Sequence, residues 1–161
     1  GVQTCALPIL NQLYQNVKGT PEQIDQIKQL LQNMSQYGIG RRVLMQAPSD
    51  VKFRTLPNMV LSALGSGGNY NRSTKTITLP EVTEKYHDNA DLLLATAHEL
   101  THANQQKNGL RQTIPSDSAT EHVQEKLSEM ETLLQDICFE SQIKQGTNEK
   151  NQHNVCFMKR N

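Results

Sequence analysis

The sequence has few aromatic residues, no net charge and no long apolar run, and each of these absences excludes a functional class. Tryptophan is absent, aromatic residues make up 4% of the chain, and 16 basic residues are balanced by 16 acidic ones. Because there is no net charge, the chain has no electrostatic basis for binding nucleic acid or an anionic membrane. No apolar run approaches the roughly 20 residues of a transmembrane helix, so no segment is predicted to span a bilayer.

Cysteine is also scarce. The spacing of Cys5, Cys138 and Cys156 matches neither a zinc knuckle nor a disulfide framework. We expect Cys138 to be a small buried residue near the apolar face of the last helix. There are no internal repeats, and 161 residues suffice for one domain with a modest core.

The ends of the chain are predicted to lie outside the fold. Residues 1–9 resemble the translation of a sequencing-library adapter and lack an initiator Met, which indicates an assembly artefact. We expect residues 10–146 to form a single domain and residues 147–161, rich in Asn, Lys and Gln, to be a loose tail. The expected protein is soluble, and its compartment, cytoplasmic or exported, and its oligomeric state stay open.

The first half of the chain predicts an α+β, mostly helical fold. Thr20-Pro21-Glu22-Gln23 has the residues of a capping box, and an apolar helical face follows it up to Gly38. Residues 43–45 and 51–56 are rich in β-favouring residues and predict two short strands. Residues 74–79 alternate with a period of two and predict a third strand.

One motif dominates the second half of the chain, His98-Glu99-Leu100-Thr101-His102. Apolar residues recur around it at helical spacing, which predicts a helix over about residues 89–108. Because a helical turn takes about 3.6 residues, His98 and His102 project from one face and can share one tetrahedral zinc ion. Glu99 lies beside them and can accept a proton from a water on that ion.

Residues 98–105, His-Glu-Leu-Thr-His-Ala-Asn-Gln, resemble the active-site helix of zincin metallopeptidases. Over about residues 65–145 the chain is similar to small bacterial metallopeptidase domains of unknown specificity. It also resembles compact H-E-x-x-H proteins that act on phage repressors and stress regulators. The resemblance implies a minimal zincin-like domain with a small β-sheet, whose active-site helix packs on a C-terminal helix. It further implies zinc-dependent hydrolysis of a peptide or protein, with Glu99 as the catalytic base and His98 and His102 as metal ligands.

The third zinc ligand needs a separate argument, because catalytic zinc usually takes three protein ligands. The metzincin branch has Gly three and His six residues after its second His, where this chain has Gln105 and Asn108. That branch is excluded, whereas the gluzincin branch takes a Glu from a later helix. Ser118-Ala-Thr-Glu121 and Gly146 have the residues of a helix start and stop, which predicts a helix between them.

This helix carries an apolar stripe that is predicted to pack against the H-E-x-x-H helix: Val123, Leu127, Met130, Leu134 and Ile137. Its acidic residues are Glu121, Glu125, Glu129, Glu131, Asp136 and Glu140. Glu131 falls about 75° from the centre of the stripe and Glu129 about 125°. A ligand at the edge of the packed face is therefore predicted to be Glu131. Glu129 is the second candidate, and His122 and Asp117 are further alternatives.

The resemblance agrees with Glu131 as a metal ligand. Similar bacterial families carry an E-x-E-A-like segment, with the metal-binding Glu just before the small residue, as in Glu129-Met130-Glu131-Thr132. Zincins also often lay their substrate along an edge strand before the active-site helix. By the resemblance, the strand over residues 74–79 would hold a peptide in this way. Tyr86 and His87 could reach the site and are left without a role.

The favoured function is therefore a metalloendopeptidase with one zinc ion. The main alternative is a non-catalytic, zinc-stabilised regulatory or protein-binding module of the same fold. Intact Glu99 favours the enzyme, since a purely structural metal site has no use for a base. A third hypothesis is an all-helical interaction domain in which the motif is coincidental.

Overall fold

The computed structural model describes residues 7–57, 68–81, 90–109 and 118–145. These residues form an α+β structure that is mostly helical, which confirms the predicted class. In chain order the elements are α1 (Leu7–Tyr14), α2 (Pro21–Met34), α3 (Gly38–Gln46), β1 (Lys52–Leu56), β2 (Asn69–Asn71), β3 (Thr76–Pro80), α4 (Ala90–Lys107) and α5 (Ser118–Gln145).

The predicted start of α2 is confirmed. The Thr20 hydroxyl accepts from the Gln23 backbone N–H, and the Gln23 side chain accepts from the Thr20 N–H, which completes a capping box. One face of the helix then enters the core, where Ile27, Leu30, Leu31 and Met34 are fully buried. These side chains belong to the hydrophobic core, so α2 has a structural role rather than a ligand-binding one.

The strand predicted over residues 43–45 is wrong, because this segment lies inside α3. Ile39 and Val43 are both buried and lie one helical turn apart, so the apolar period here is helical. A run of three apolar residues is too short to distinguish the two periods. Gly40 allows α3 to begin close to α2, because a Cβ there would lie 2.2 Å from the Met34 carbonyl oxygen.

The three strands form one sheet in the order β1-β3-β2. β3 pairs in parallel with β1 and antiparallel with β2, and Ile77 is aligned with Phe53 on one side and Tyr70 on the other. The expectation that residues 74–79 form an edge strand is therefore wrong, since β3 is central. The other edge of β1 is covered by residues 16–18, where Lys18 N–H donates to the Phe53 carbonyl at 2.9 Å.

Helix α4 confirms the helix predicted over about residues 89–108. Leu93, Ala97 and Leu100 are buried, as their helical spacing predicts. Gly109 follows the helix with a φ of 87°, a left-handed conformation that suits glycine. The H-E-x-x-H motif, which ends at His102, therefore lies inside a regular helix.

Helix α5 packs on α4 as predicted, but through a different face. Within the described part of its apolar stripe, all side chains are largely exposed: Leu127, Met130, Leu134 and Ile137. Instead Ser128, Thr132 and Phe139 are fully buried, and the Gln135 amide donates to the Thr101 hydroxyl of α4. Small and hydrogen-bonding side chains let the two helices approach closely, so a polar seam replaces the expected apolar one.

Cys138 differs from its prediction, since it is only half-buried against the core and is disulfide-bonded. Residues 1–6 and 147–161 of the predicted artefact and tail lie outside the described residues, whereas residues 7–9 begin α1. None of the helices described is both long enough and apolar enough to cross a membrane.

Candidate metal centre

The two histidines of the motif meet on one side of α4. His98 and His102 lie four residues apart, and their Nε2 atoms are 3.1 Å apart. The rings are nearly perpendicular, with centroids 4.7 Å apart and an interplanar angle of 82°. The helix therefore presents two nitrogen donors at one point, as the spacing predicts.

A carboxylate from α5 joins this pair. Glu129 Oε1 lies 3.5 Å from His102 Nε2, and His98, His102 and Glu129 each offer a donor atom within 4.8 Å of the others. Zinc bound by nitrogen and oxygen at about 2.0–2.2 Å in a tetrahedron holds its ligands about 3.3–3.6 Å apart. The distances of 3.1 and 3.5 Å are close to that spacing, so this donor set fits a single ion.

The structure does not bring Glu131 into this group. The preference for Glu131 followed from the expected packing of α5, and the packed face is different. Residues two apart on a helix differ by about 200° in direction, so Glu129 and Glu131 lie on opposite edges of the face centred on Ser128 and Thr132. The edge with Glu129 adjoins the histidines. The alternatives His122 and Asp117 are not tested as third ligands, since neither is among the side chains that the structure describes.

Asp136 holds the other ring nitrogen of His98. Its Oδ2 lies 2.7 Å from His98 Nδ1, and this hydrogen bond raises the pKa of His98. His98 Nδ1 donates to the carboxylate, which leaves Nε2 directed toward His102 and Glu129. Such carboxylate–histidine pairs orient metal ligands and raise their basicity. From the sequence, Asp136 is only one of the acidic residues of α5. The spacing gave a signal, since Asp136 lies seven residues after Glu129 and so on the same face.

Glu99, the residue next to His98, is a buried carboxylate. Its side chain is 9% exposed, and it accepts a hydrogen bond from the Tyr70 backbone N–H of β2. A Cβ at Gly68 would lie 3.5 Å from Glu99 Cγ, so the glycine leaves room for this side chain. Burial raises the pKa of Glu99 to about 7. A base near neutrality is well suited to accept a proton and return it.

Strand β2 is fixed on α4 by a second contact. The Tyr70 hydroxyl donates to Oε1 of Gln106 at 2.6 Å, and the Gln106 amide donates to the Arg72 carbonyl at 3.4 Å. The sequence predicts no strand here, because three residues within a Gly- and Asn-rich stretch give no periodic signal. Tyr70 was therefore missed, whereas Tyr86 and His87 lie outside the described residues.

The buried carboxylate predicts a pH dependence of stability in the metal-free protein. In the unfolded chain Glu99 loses its proton near pH 4.5, whereas in the folded protein burial keeps it until about pH 7. Folding therefore takes up a proton between these values, and the free energy of unfolding falls by about 3 kcal/mol as pH rises through the window. Glu99→Gln should remove this decrease. Urea unfolding of both proteins with a chelator at pH 5 and pH 8 measures it, and equal pH dependences would contradict it.

Comparisons with known proteins assign no family. No protein-family model, curated protein or solved structure matches the chain. The function must therefore be inferred from the residues themselves and from the geometry of this site.

Proposed function

We propose that this chain is a zinc-dependent peptide hydrolase whose metal ligands are His98, His102 and Glu129. The observation that carries the proposal is the convergence of two imidazole nitrogens and one carboxylate oxygen at spacings close to those of a tetrahedral zinc site. Three protein donors leave a fourth position for water or substrate, as in catalytic rather than structural zinc sites.

Zinc in this position would lower the pKa of a water molecule toward neutrality and polarise the carbonyl of a peptide bond. Glu99 would accept the proton of that water, since it is the residue next to His98 and its buried carboxyl group has a raised pKa in the metal-free protein. The same carboxyl group then returns the proton to the leaving amine. Asp136 keeps His98 oriented throughout, because it holds the nitrogen that faces away from the site.

The substrate proposed for this site is an extended peptide along β2. β3 is paired on both sides, so the expected edge-strand role passes to β2. The backbone of Tyr70 in β2 contacts Glu99, so a peptide added beside this strand would run close to the catalytic base. Backbone hydrogen bonds along such an edge bind peptides with little dependence on their side chains.

Zinc titration of single variants tests the ligand set. His102→Ala and Glu129→Ala are expected to weaken zinc binding by more than about 100-fold, because a lost ligand costs more than a lost outer partner. Glu131→Ala is the matched control, since it removes the same side chain two residues away and is expected to leave zinc affinity unchanged. Calorimetric titration and the metal content of the purified proteins measure this.

Two results would contradict the proposal. Absence of stoichiometric zinc in the purified wild type, with no zinc uptake on titration, would remove the metal site. A large loss in Glu131→Ala with none in Glu129→Ala would return the third ligand to Glu131. The alternative of a non-catalytic module has less support, because a structural metal site gains nothing from a buried base such as Glu99.

A further inference from the structure

A buried amide adjoins the proposed metal site. Gln105 lies one turn after His102 on α4 and is only 4% exposed. Ser128 and Thr132 of α5, both fully buried, lie against it. A buried side-chain amide without partners would be costly, and Gln105 has four hydrogen bonds.

These hydrogen bonds determine which way the amide points. Gln105 Nε2 donates to the Ser128 carbonyl at 3.1 Å and to the Thr132 hydroxyl at 3.3 Å. The Thr132 hydroxyl donates its own proton to the same Ser128 carbonyl at 2.8 Å, so its oxygen is free to accept. The Ser128 hydroxyl donates to Gln105 Oε1 at 2.6 Å. A flipped amide would place Oε1 against the Ser128 carbonyl oxygen, and that arrangement is repulsive.

The orientation of the amide in turn determines the tautomer of His102. Gln105 Oε1 lies 3.0 Å from His102 Nδ1, and an amide oxygen only accepts hydrogen bonds. His102 therefore carries its proton on Nδ1, which leaves the lone pair of Nε2 directed at the site. His98 has the same arrangement through Asp136. Two lone pairs 3.1 Å apart repel each other unless a proton or a metal cation lies between them.

We propose that Gln105 is a positioning residue that prepares this site for a metal ion, an inference that rests on the proposed zinc ligand set. It selects the tautomer of His102 in which Nε2 is a ligand. It also joins α4 to Ser128, the residue before Glu129, and so sets the position of the third ligand. One neutral side chain thereby aligns donors from two helices.

Three variants test this role. Gln105→Leu removes both functions of the amide and is expected to weaken zinc binding by about 10–100-fold. Gln105→Glu keeps an acceptor for His102 Nδ1 but places its second oxygen against the Ser128 carbonyl, so it is expected to recover only part of the affinity. Gln135→Leu is the matched control, because it removes an amide from the same helix seam that contacts Thr101 and no histidine. Zinc titration gives the affinities, and circular dichroism establishes that each variant is folded.

Nitrogen-15 NMR of the histidine rings adds a measurement that a purely structural role would not change. In the metal-free wild type, His102 is expected to be protonated on Nδ1, and this tautomer should persist in Gln105→Glu but become a mixture in Gln105→Leu. Should Gln105→Leu not fold, Gln105→Met, which has nearly the size of Gln but no oxygen to accept from Nδ1, is compared with Gln135→Leu in its place.

The outcomes separate this inference from the proposed function. Zinc binding by the wild type with unchanged affinity and tautomer in Gln105→Leu would overturn the role of Gln105 and leave the metal site intact. A wild-type His102 protonated on Nε2 in the metal-free protein would also overturn it. A wild type that takes up no zinc would instead overturn the proposed function, and the inference with it.

Discussion

Replacing Glu99 by Gln is expected to reduce peptide hydrolysis by about 10²–10⁴-fold, the usual contribution of a general base. Gln is nearly the same size and can still accept the hydrogen bond from the Tyr70 backbone, but it cannot take a proton. Since Glu99 is not one of the three converging donors, zinc affinity should change little. The measurement is product formation from a peptide mixture by mass spectrometry, with one equivalent of zinc bound to each protein.

The control for this experiment is Glu140→Gln. Glu140 lies on the exposed part of α5, where it forms an ion pair with Lys144 and no contact with the histidines. Its substitution should leave hydrolysis at the wild-type rate. Equal hydrolysis by wild type and Glu99→Gln would contradict the assignment of Glu99 as the base. Zinc binding by the wild type without any hydrolysis would instead favour the regulatory or binding module.

The local half of the site could be predicted from the sequence because it depends on one helix. His98, Glu99 and His102 have fixed relative directions once their segment is helical, and an apolar period marked that helix clearly. The structure brings the two histidines together as expected. The buried environment of Glu99 could not be predicted in the same way, because it depends on a three-residue strand, β2, with no periodic signal of its own.

The contribution of α5 shows why the rest could not be predicted. The apolar residues around Leu134 indicated one packed face, yet the buried face carries Ser128, Thr132 and Phe139. A hydrophobic period predicts the face that a helix buries when the opposing surface is apolar. Hydrogen-bonding partners such as Gln105 on the opposing helix changed that face, and the candidate for the third ligand changed from Glu131 to Glu129 with it. Parallel pairing of β1 with β3 is equally non-local, since its partners are distant in the sequence.

Phe139→Ala is expected to be the most destabilising of these substitutions. Phe139 is fully buried on α5 and packs edge-to-face on Tyr37 with ring centroids 5.7 Å apart. Truncation of a buried Phe costs about 3–5 kcal/mol through lost burial and the cavity that remains. The matched control is Ile137→Ala two residues away, which is 64% exposed and should change the free energy of unfolding by no more than about 0.5 kcal/mol. Urea unfolding with a chelator measures both.

The same pair of variants tests how the site is assembled. Phe139 lies three residues after Asp136 on the helix that also carries Glu129, so loosening this contact should weaken zinc binding as well as stability. Ile137→Ala should leave zinc binding unchanged, because its side chain lies outside the packed face. The reverse result, a costly Ile137→Ala and a mild Phe139→Ala, would mean that α5 packs through its apolar stripe. Glu129 would then point away from the histidines, and Glu131 would again be the better candidate for the third ligand.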